Sequence, residues 1–292
     1  MKQTILWTAL ITPMHEDGSI HEENLKSLIH RQDKAGNGVL ILGSTGEGLA
    51  LSEDDKRKVI SIASSMKLSV PLMVGIGGFN LSAQKELMDY CKAFNVDSYL
   101  LVTPLYAKPG PEGQYEWFKA LLDHSGKPCM LYNVPSRTAL KMSPVVLGRL
   151  KDHPKLWAVK EASGSISEYQ QFREVAPEIP LFSGDDALTA FFATAGCSGL
   201  VSVASNVWPE ETNLYTKMCL EGKTDTLFPT WNHAVEALFS ASNPVPSKVL
   251  LKEKGEIDHV TLRSPLSAAD LKSKDHLLAA DVAIKKWYSI NK

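Results

Sequence analysis

The chain has 292 residues, 44% of them hydrophobic, and its 31 Lys and Arg balance 33 Asp and Glu to a net charge of −2. So apolar a chain can bury a large core, which argues against disorder, and so even a balance offers no general field for nucleic acid or anionic lipid. No apolar run reaches the roughly 18 residues of a membrane span, and the opening Met1–Trp7 has no long apolar stretch with a small-residue cleavage site, so the expectation is a cytoplasmic protein binding neither nucleic acid nor membrane.

Short apolar runs of strand length recur along the chain: Leu6–Ile11, Gly38–Leu42, Pro71–Ile76, Ser98–Thr103, Pro128–Asn133, Leu156–Lys160, Pro180–Ser183 and Gly199–Val203. They are continuously apolar rather than alternating, as strands buried on both faces require. Longer stretches with helical periodicity lie between them. Ser52 followed by Glu53, Asp54 and Asp55 offers a cap and first-turn acids that suit the helix dipole. Ser82 precedes a face of Leu87, Tyr90, Cys91 and Phe94, while Pro111 and Pro144 sit where proline fits the first helical turn.

Eight such βα units by Glu221 predict a (β/α)8 TIM barrel, whose closure removes both sheet edges. The rival, an open doubly wound sheet, needs a Gly-rich phosphate turn after the first strand, which Thr8–Gly18 does not supply. Beyond residue 223 the strand signal ends, and Phe228–Ala241, Pro246–Lys254 and Ser267–Ile290 read as helices. The expected organisation is a catalytic barrel at 1–223 with a C-terminal helical extension at 224–292.

In such barrels the chemistry collects at the C-terminal ends of the strands. The second strand runs into Gly43-Ser44-Thr45-Gly46-Glu47-Gly48, whose backbone amides and hydroxyls suit a small carboxylate, although a plain glycine-rich turn reads equally well. It lacks the Gly-Lys-Ser/Thr ending of a nucleotide-binding loop. The fourth strand leads to Tyr106, by itself an ordinary half-buried aromatic. The fifth ends in Tyr132, able to pass a proton, followed by Arg137, able to grip a carboxylate with two bonds or to lie on the surface.

Lys160, ending the apolar sixth strand, is the sharpest anomaly. Burial disfavours the ammonium form of a lysine, and a neutral amine can attack a ketone to give an iminium that acidifies the neighbouring carbon. Asp185 and Asp186 after the seventh strand have no histidine at ligand spacing, with His153, His233 and His259 isolated, so they read as a helix cap and no metal is expected. Cys91, Cys129, Cys197 and Cys219 show no C-x-x-C pairing and read as small buried hydrophobes.

These residues resemble the dihydrodipicolinate synthase family of pyruvate-dependent Schiff-base lyases, related to N-acetylneuraminate lyase. The likeness runs from Trp7 to Lys248 through Gly43–Glu47, Val102-Thr103-Pro104 with Tyr106, Tyr132–Thr138, Val159–Ala162, Ser183–Asp186, Gly199–Val203 and Asn243-Pro244-Val245-Pro246. It implies that Lys160 condenses with pyruvate and that Tyr132 moves protons, linked to Ser44 and to Tyr106 of a neighbouring subunit. It further implies that the backbone around Ser44 and Thr45 holds the pyruvate carboxylate, that the carbonyls of Gly184 and Val201 fix the keto acid, and that Arg137 receives the carboxylate of aspartate-4-semialdehyde. No cofactor is implied, and the expected assembly is a homotetramer or homodimer. Ser44 stands where many members carry threonine. Leu105, Glu53 and Lys56 depart from the pattern of lysine-inhibited members, so inhibition by lysine is expected to be weak or absent. A sugar-acid aldolase and a barrel that only binds a keto acid are the competing readings. Arg137 speaks against the first, and Lys160, Tyr132 and Tyr106 against the second.

Overall fold

A computed structural model describes residues 4–223 and 228–292. Met1–Gln3 of the opening segment and residues 224–227, where the extension is expected to begin, lie outside the described residues. Eight parallel strands close in sequence order: β1 Leu6–Ala9, β2 Gly38–Ile41, β3 Leu72–Ile76, β4 Ser98–Val102, β5 Cys129–Asn133, β6 Leu156–Glu161, β7 Leu181–Ser183 and β8 Gly199–Ser202. The β1–β8 pairing, Trp7 opposite Val201, seals the barrel and removes the rival open sheet. Two apolar layers explain why the strands read as unbroken hydrophobic runs. Trp7, Leu40, Met73, Leu100, Met130, Ala158, Phe182 and Val201 fill the interior, while the alternate residues Val39, Val74, Leu101, Leu131 and Val159 join the layer under the helices.

Helices α1 Glu22–Ala35, α2 Glu53–Ser65, α3 Leu81–Cys91 and α4 Pro111–Ser125 wrap the first half of the barrel. A short α5 Pro135–Thr138 precedes α6 Pro144–Leu150, α7 Ile166–Val175, α8 Thr189–Thr194 and α9 Pro209–Leu220. Ser52 caps α2 as expected, its hydroxyl accepting from Asp55 N at 3.1 Å, and Pro111 and Pro144 open their helices. The third helix starts earlier than its expected opening at Ser82, because the Asn80 side chain accepts from Ala83 N.

The extension comprises α10 Phe228–Leu238, α11 Val245–Glu253 and α12 Asp275–Asn291. The expected single helix from Ser267 to Ile290 is broken. Ser267 caps only the turn Ala268–Asp270, and Ser273 bonds the amide of Asp275, a local bond that competes with a continuous helix. The extension shares its core with the barrel. Trp231 stacks on Tyr215 at 4.0 Å between centroids, and Trp208 Nε1 donates to Asp281 at 2.9 Å. The four cysteines are buried and free, and burial pushes the Cys91 and Cys129 thiols up to about 12. No described helix is long and apolar enough to cross a membrane.

Candidate active site

A cleft of about 960 Å³ opens at the C-terminal ends of the strands, within the size range of small-molecule sites. Ser44, Thr45, Tyr132, Arg137, Lys160 and Gly184, drawn from four strand ends, line it together.

Register explains how Lys160 and Tyr132 meet. They are partners across the β5–β6 ladder, so both side chains point inward, and Lys160 Nζ lies 4.2 Å from the centre of the Tyr132 ring. Their neighbours Asn133 and Glu161 point outward by the same alternation. There Asn133 Nδ2 donates to Glu161 Oε2 at 2.7 Å, Ser163 N donates to Glu161 Oε1 at 2.7 Å, and Met142 N donates to Asn133 Oδ1 at 2.9 Å. Burial raises the Glu161 carboxyl, and the bonds from Ser163 and Asn133 oppose that rise. The two inward-pointing side chains thus stand on a stitched strand pair. Thr103 adds to it, since both its amide and its hydroxyl donate to the Tyr132 carbonyl, at 3.0 and 2.8 Å.

Lys160 is 5% exposed, and no carboxylate among the described residues pairs with it. A lysine usually enters a protein interior only with a charged or hydrogen-bonding partner. Gly184 lets the stem in: a Cβ there would stand 2.7 Å from Lys160 Cε and 2.6 Å from Ala162 Cβ.

The loop after β2 is shaped by close backbone approach. A Cβ on Gly48 would lie 2.1 Å from the Leu42 carbonyl oxygen, so only glycine fits. Thr12 Oγ1 donates to the Gly46 carbonyl at 2.7 Å. The extension then clamps the loop. Asn243 Nδ2 donates to Thr45 Oγ1 at 2.8 Å, which leaves the threonine hydrogen free to point elsewhere. Glu47 is fully enclosed, with Lys248 Nζ at 2.5 Å from one oxygen and Arg263 N at 2.6 Å from the other. Lys248 also donates to the Thr261 carbonyl at 2.7 Å.

Other expected residues fall differently. Ser44 and Tyr132 share the cleft with no hydrogen bond between their hydroxyls, and Arg137, exposed on α5, has no carboxylate partner among the described residues. Tyr106 does not line the cleft of its own chain. It is 82% exposed on a left-handed backbone (φ 65°), with its ring 6.1 Å from Phe79. Val201 sits in the barrel interior, and Val203, two residues on, lines the cleft. The acidic pair splits its work. Asp185 Oδ1 accepts from Ala187 N at 3.0 Å in the turn before α8, whereas Asp186 is buried against β8 and the loop after it. No group of His, Cys, Asp or Glu spaced to hold a metal occurs among the described residues of the cleft.

Sequence reasoning did not reach Asn243 as a contact of Thr45, or Phe239, Arg263 and Leu266 as lining residues. They come from the extension, and only tertiary packing brings them to the strand ends.

A model of the dihydrodipicolinate synthetase family matches residues 2–284. A Francisella philomiragia protein named 4-hydroxy-tetrahydrodipicolinate synthase is 47% identical over 287 residues, covering 97% of each chain. The solved 4-hydroxy-tetrahydrodipicolinate synthase from Methylacidiphilum fumariolicum SolV matches with a TM-score of 0.92 at 29% identity, over 98% of this chain and 97% of that one. The chloride-inhibited dihydrodipicolinate synthase from Acinetobacter baumannii, solved in complex with pyruvate, gives a TM-score of 0.86 at 28% identity, over 97% and 98%.

Proposed function

Because the chain belongs to the dihydrodipicolinate synthetase family, we infer that it condenses pyruvate with L-aspartate-4-semialdehyde to a hydroxy-tetrahydrodipicolinate, in diaminopimelate and lysine biosynthesis. One observation carries the assignment of its chemistry to Lys160: a buried amine with no carboxylate partner, pressed against the Tyr132 ring in the main cleft.

The amine of Lys160 attacks the keto carbon of pyruvate in its unprotonated form, and loss of water gives an iminium. The iminium draws electrons from the methyl carbon, which releases a proton to become an enamine. We assign these proton transfers to Tyr132, whose ring lies against Lys160, with Ser44 lining the same cleft. The loop amides at Ser44 and Thr45, and the Thr45 hydroxyl, suit the pyruvate carboxylate. The enamine carbon then attacks the aldehyde, whose own carboxylate is met by the unpaired guanidinium of Arg137. Attack of the substrate amino group on the iminium carbon closes the ring and returns Lys160 to its free form. The carbonyls of Gly184 and Val201 complete the reading as holders of the keto acid.

Tyr106 is exposed and does not line its own cleft, which supports a role in the proton path of a neighbouring subunit, in a homodimer or homotetramer. A cytoplasmic location fits a soluble biosynthetic enzyme of this class.

Borohydride reduction with pyruvate, followed by peptide mass spectrometry, tests the amine. A stable adduct on Lys160 is expected, and an unmodified Lys160 overturns the assignment. Coupled turnover with aspartate-4-semialdehyde tests the second substrate. Adduct formation without turnover would turn the reading to a sugar-acid aldolase.

A further inference from the structure

On the rim of the barrel, away from the cleft floor, the turn after β1 folds back on itself. Met14 bridges Ile20 antiparallel, His15 N donates to the Ser19 carbonyl at 2.9 Å, and His21 N donates to the Pro13 carbonyl at 3.0 Å. This turn stacks the rings of His15 and His21, with centroids 4.0 Å apart. His259, isolated in the sequence, comes within 6.4 Å of both rings. We propose that His15, His21 and Glu23 form a binding site for a divalent transition-metal ion of the zinc class, with Asp258 orienting His21.

Three observations carry the proposal. First, the donor atoms of His15, His21 and Glu23 all lie within 4.8 Å of one another, and a tetrahedral ion with bonds of about 2.0–2.1 Å needs them roughly 3.3 Å apart. His21 and Glu23 already stand 3.4 Å apart, so the remaining contraction brings in His15, whose ring is partly exposed. Second, His21 is already arranged as a ligand. Its Nε2 lies 2.7 Å from Asp258 Oδ2, so the proton on that nitrogen goes to the carboxylate and the lone pair is left on Nδ1. Carboxylate–histidine–metal triads have this geometry, and the bond that Nδ1 now accepts from Asn24 N is long, at 3.3 Å. Third, the same Nδ1 lies 3.4 Å from Glu23 Oε2. With Nδ1 unprotonated, these two electron-rich atoms repel, and an ion bound by both relieves that repulsion. The His15 ring nitrogens make no hydrogen bond to another described residue, so they are free to bind. Imidazole with one carboxylate suits zinc, cobalt and nickel rather than magnesium or calcium. Water takes the fourth position.

Asp258 belongs to the segment that carries Arg263, a residue of the cleft wall, and a Cβ on Gly18 of the same turn would meet Arg263 Nη1 at 3.3 Å. The His21–Asp258 bond therefore ties the proposed site to the segment that forms one wall of the cleft.

The test is titration of the purified full chain with Co2+ and with Zn2+ at about pH 8, above the usual histidine range so that protons do not compete. Calorimetry and the visible Co2+ spectrum are the readouts. One equivalent should bind with the intense band of a four-coordinate site. His15→Ala, which leaves the His21 cap of α1 in place, should abolish the band. Asp258→Asn should weaken binding about 10–100-fold, the usual effect of losing an orienting carboxylate. His233→Ala should change nothing. Absence of stoichiometric binding by the wild type, or binding unchanged in both His15→Ala and Asp258→Asn, overturns the proposal.

Discussion

Lys160 and Lys248 are both buried, at 5% and 0% exposure, but their surroundings are opposite. Lys248 sits in the seam between the β2 loop and α11, with the Glu47 carboxylate on one side and the Thr261 carbonyl on the other. Lys160 sits at the end of β6 with an aromatic face and the backbone of Gly184 for company. Burial lowers the Lys248 ammonium, and Glu47 pulls against that change, so this lysine is a structural cation with a fixed partner. The difference teaches that burial alone does not mark a reactive amine. On the function proposed above, the mark is burial without a carboxylate, inside a cavity large enough for a substrate.

The strongest way to break the comparison is Lys160→Ala. Turnover should fall by about a thousandfold or more, the pyruvate adduct should vanish, and unfolding by urea should shift little, because no ion pair is lost. A large loss of stability would place Lys160 with Lys248 among the structural cations. Lys248→Met should do the reverse. It strands the Glu47 carboxylate in the interior, which costs about 3–5 kcal/mol in denaturant unfolding, and the added change Glu47→Gln should recover much of it. Recovery separates the stranded charge from simple loss of packing.

Asp186 sharpens the comparison from the other sign of charge, since it is buried with hydrogen bonds but no cation partner among the described residues. Burial pushes its carboxyl up to about 6, despite bonds from Ser202 Oγ and from the amides of Val203 and Ala204. Between about pH 4 and 6 the folded protein holds a proton that the unfolded chain has released. Its contribution to stability is therefore present below pH 4 and is lost as pH rises through 6, a change of about 3 kcal/mol. In Asp186→Asn that part of the pH dependence should disappear from unfolding curves taken across the window. Arg137→Ala carries the smallest effect, a rise of about 10–100-fold in KM for the aldehyde with an unchanged pyruvate adduct. Equal damage to both substrates would remove the case for a second carboxylate. Lysine should inhibit weakly or not at all, because Lys56, paired with Glu53 at 2.6 Å, puts a positive charge where the resemblance leads one to look for the effector site.

The barrel was legible because its strands are buried on both faces and so read as apolar runs. Lys160 was legible for the same reason, as a charge where the run should stay apolar. Gly43–Gly48 showed its glycines, but the partner of Glu47 lies 201 positions away, and the contact between Asn243 and Thr45 spans 198. No local period encodes such pairs. Val201 and Val203 show a finer limit, since one residue of register decides whether a side chain fills the interior and two decide whether it reaches the cleft. His259 looked solitary for want of the same long-range information.

The Glu47 clamp has a consequence for biosynthesis of the chain itself. A nascent polypeptide released as far as residue 223 has all eight strands, yet its β2 loop still lacks Asn243, Lys248 and Arg263. Until the last fifth of the message has been translated and docked, an anionic side chain faces solvent where the substrate pocket is to form. That part of the pocket wall therefore forms only after the extension docks, and a frameshift late in the reading frame removes these contacts without touching a single strand.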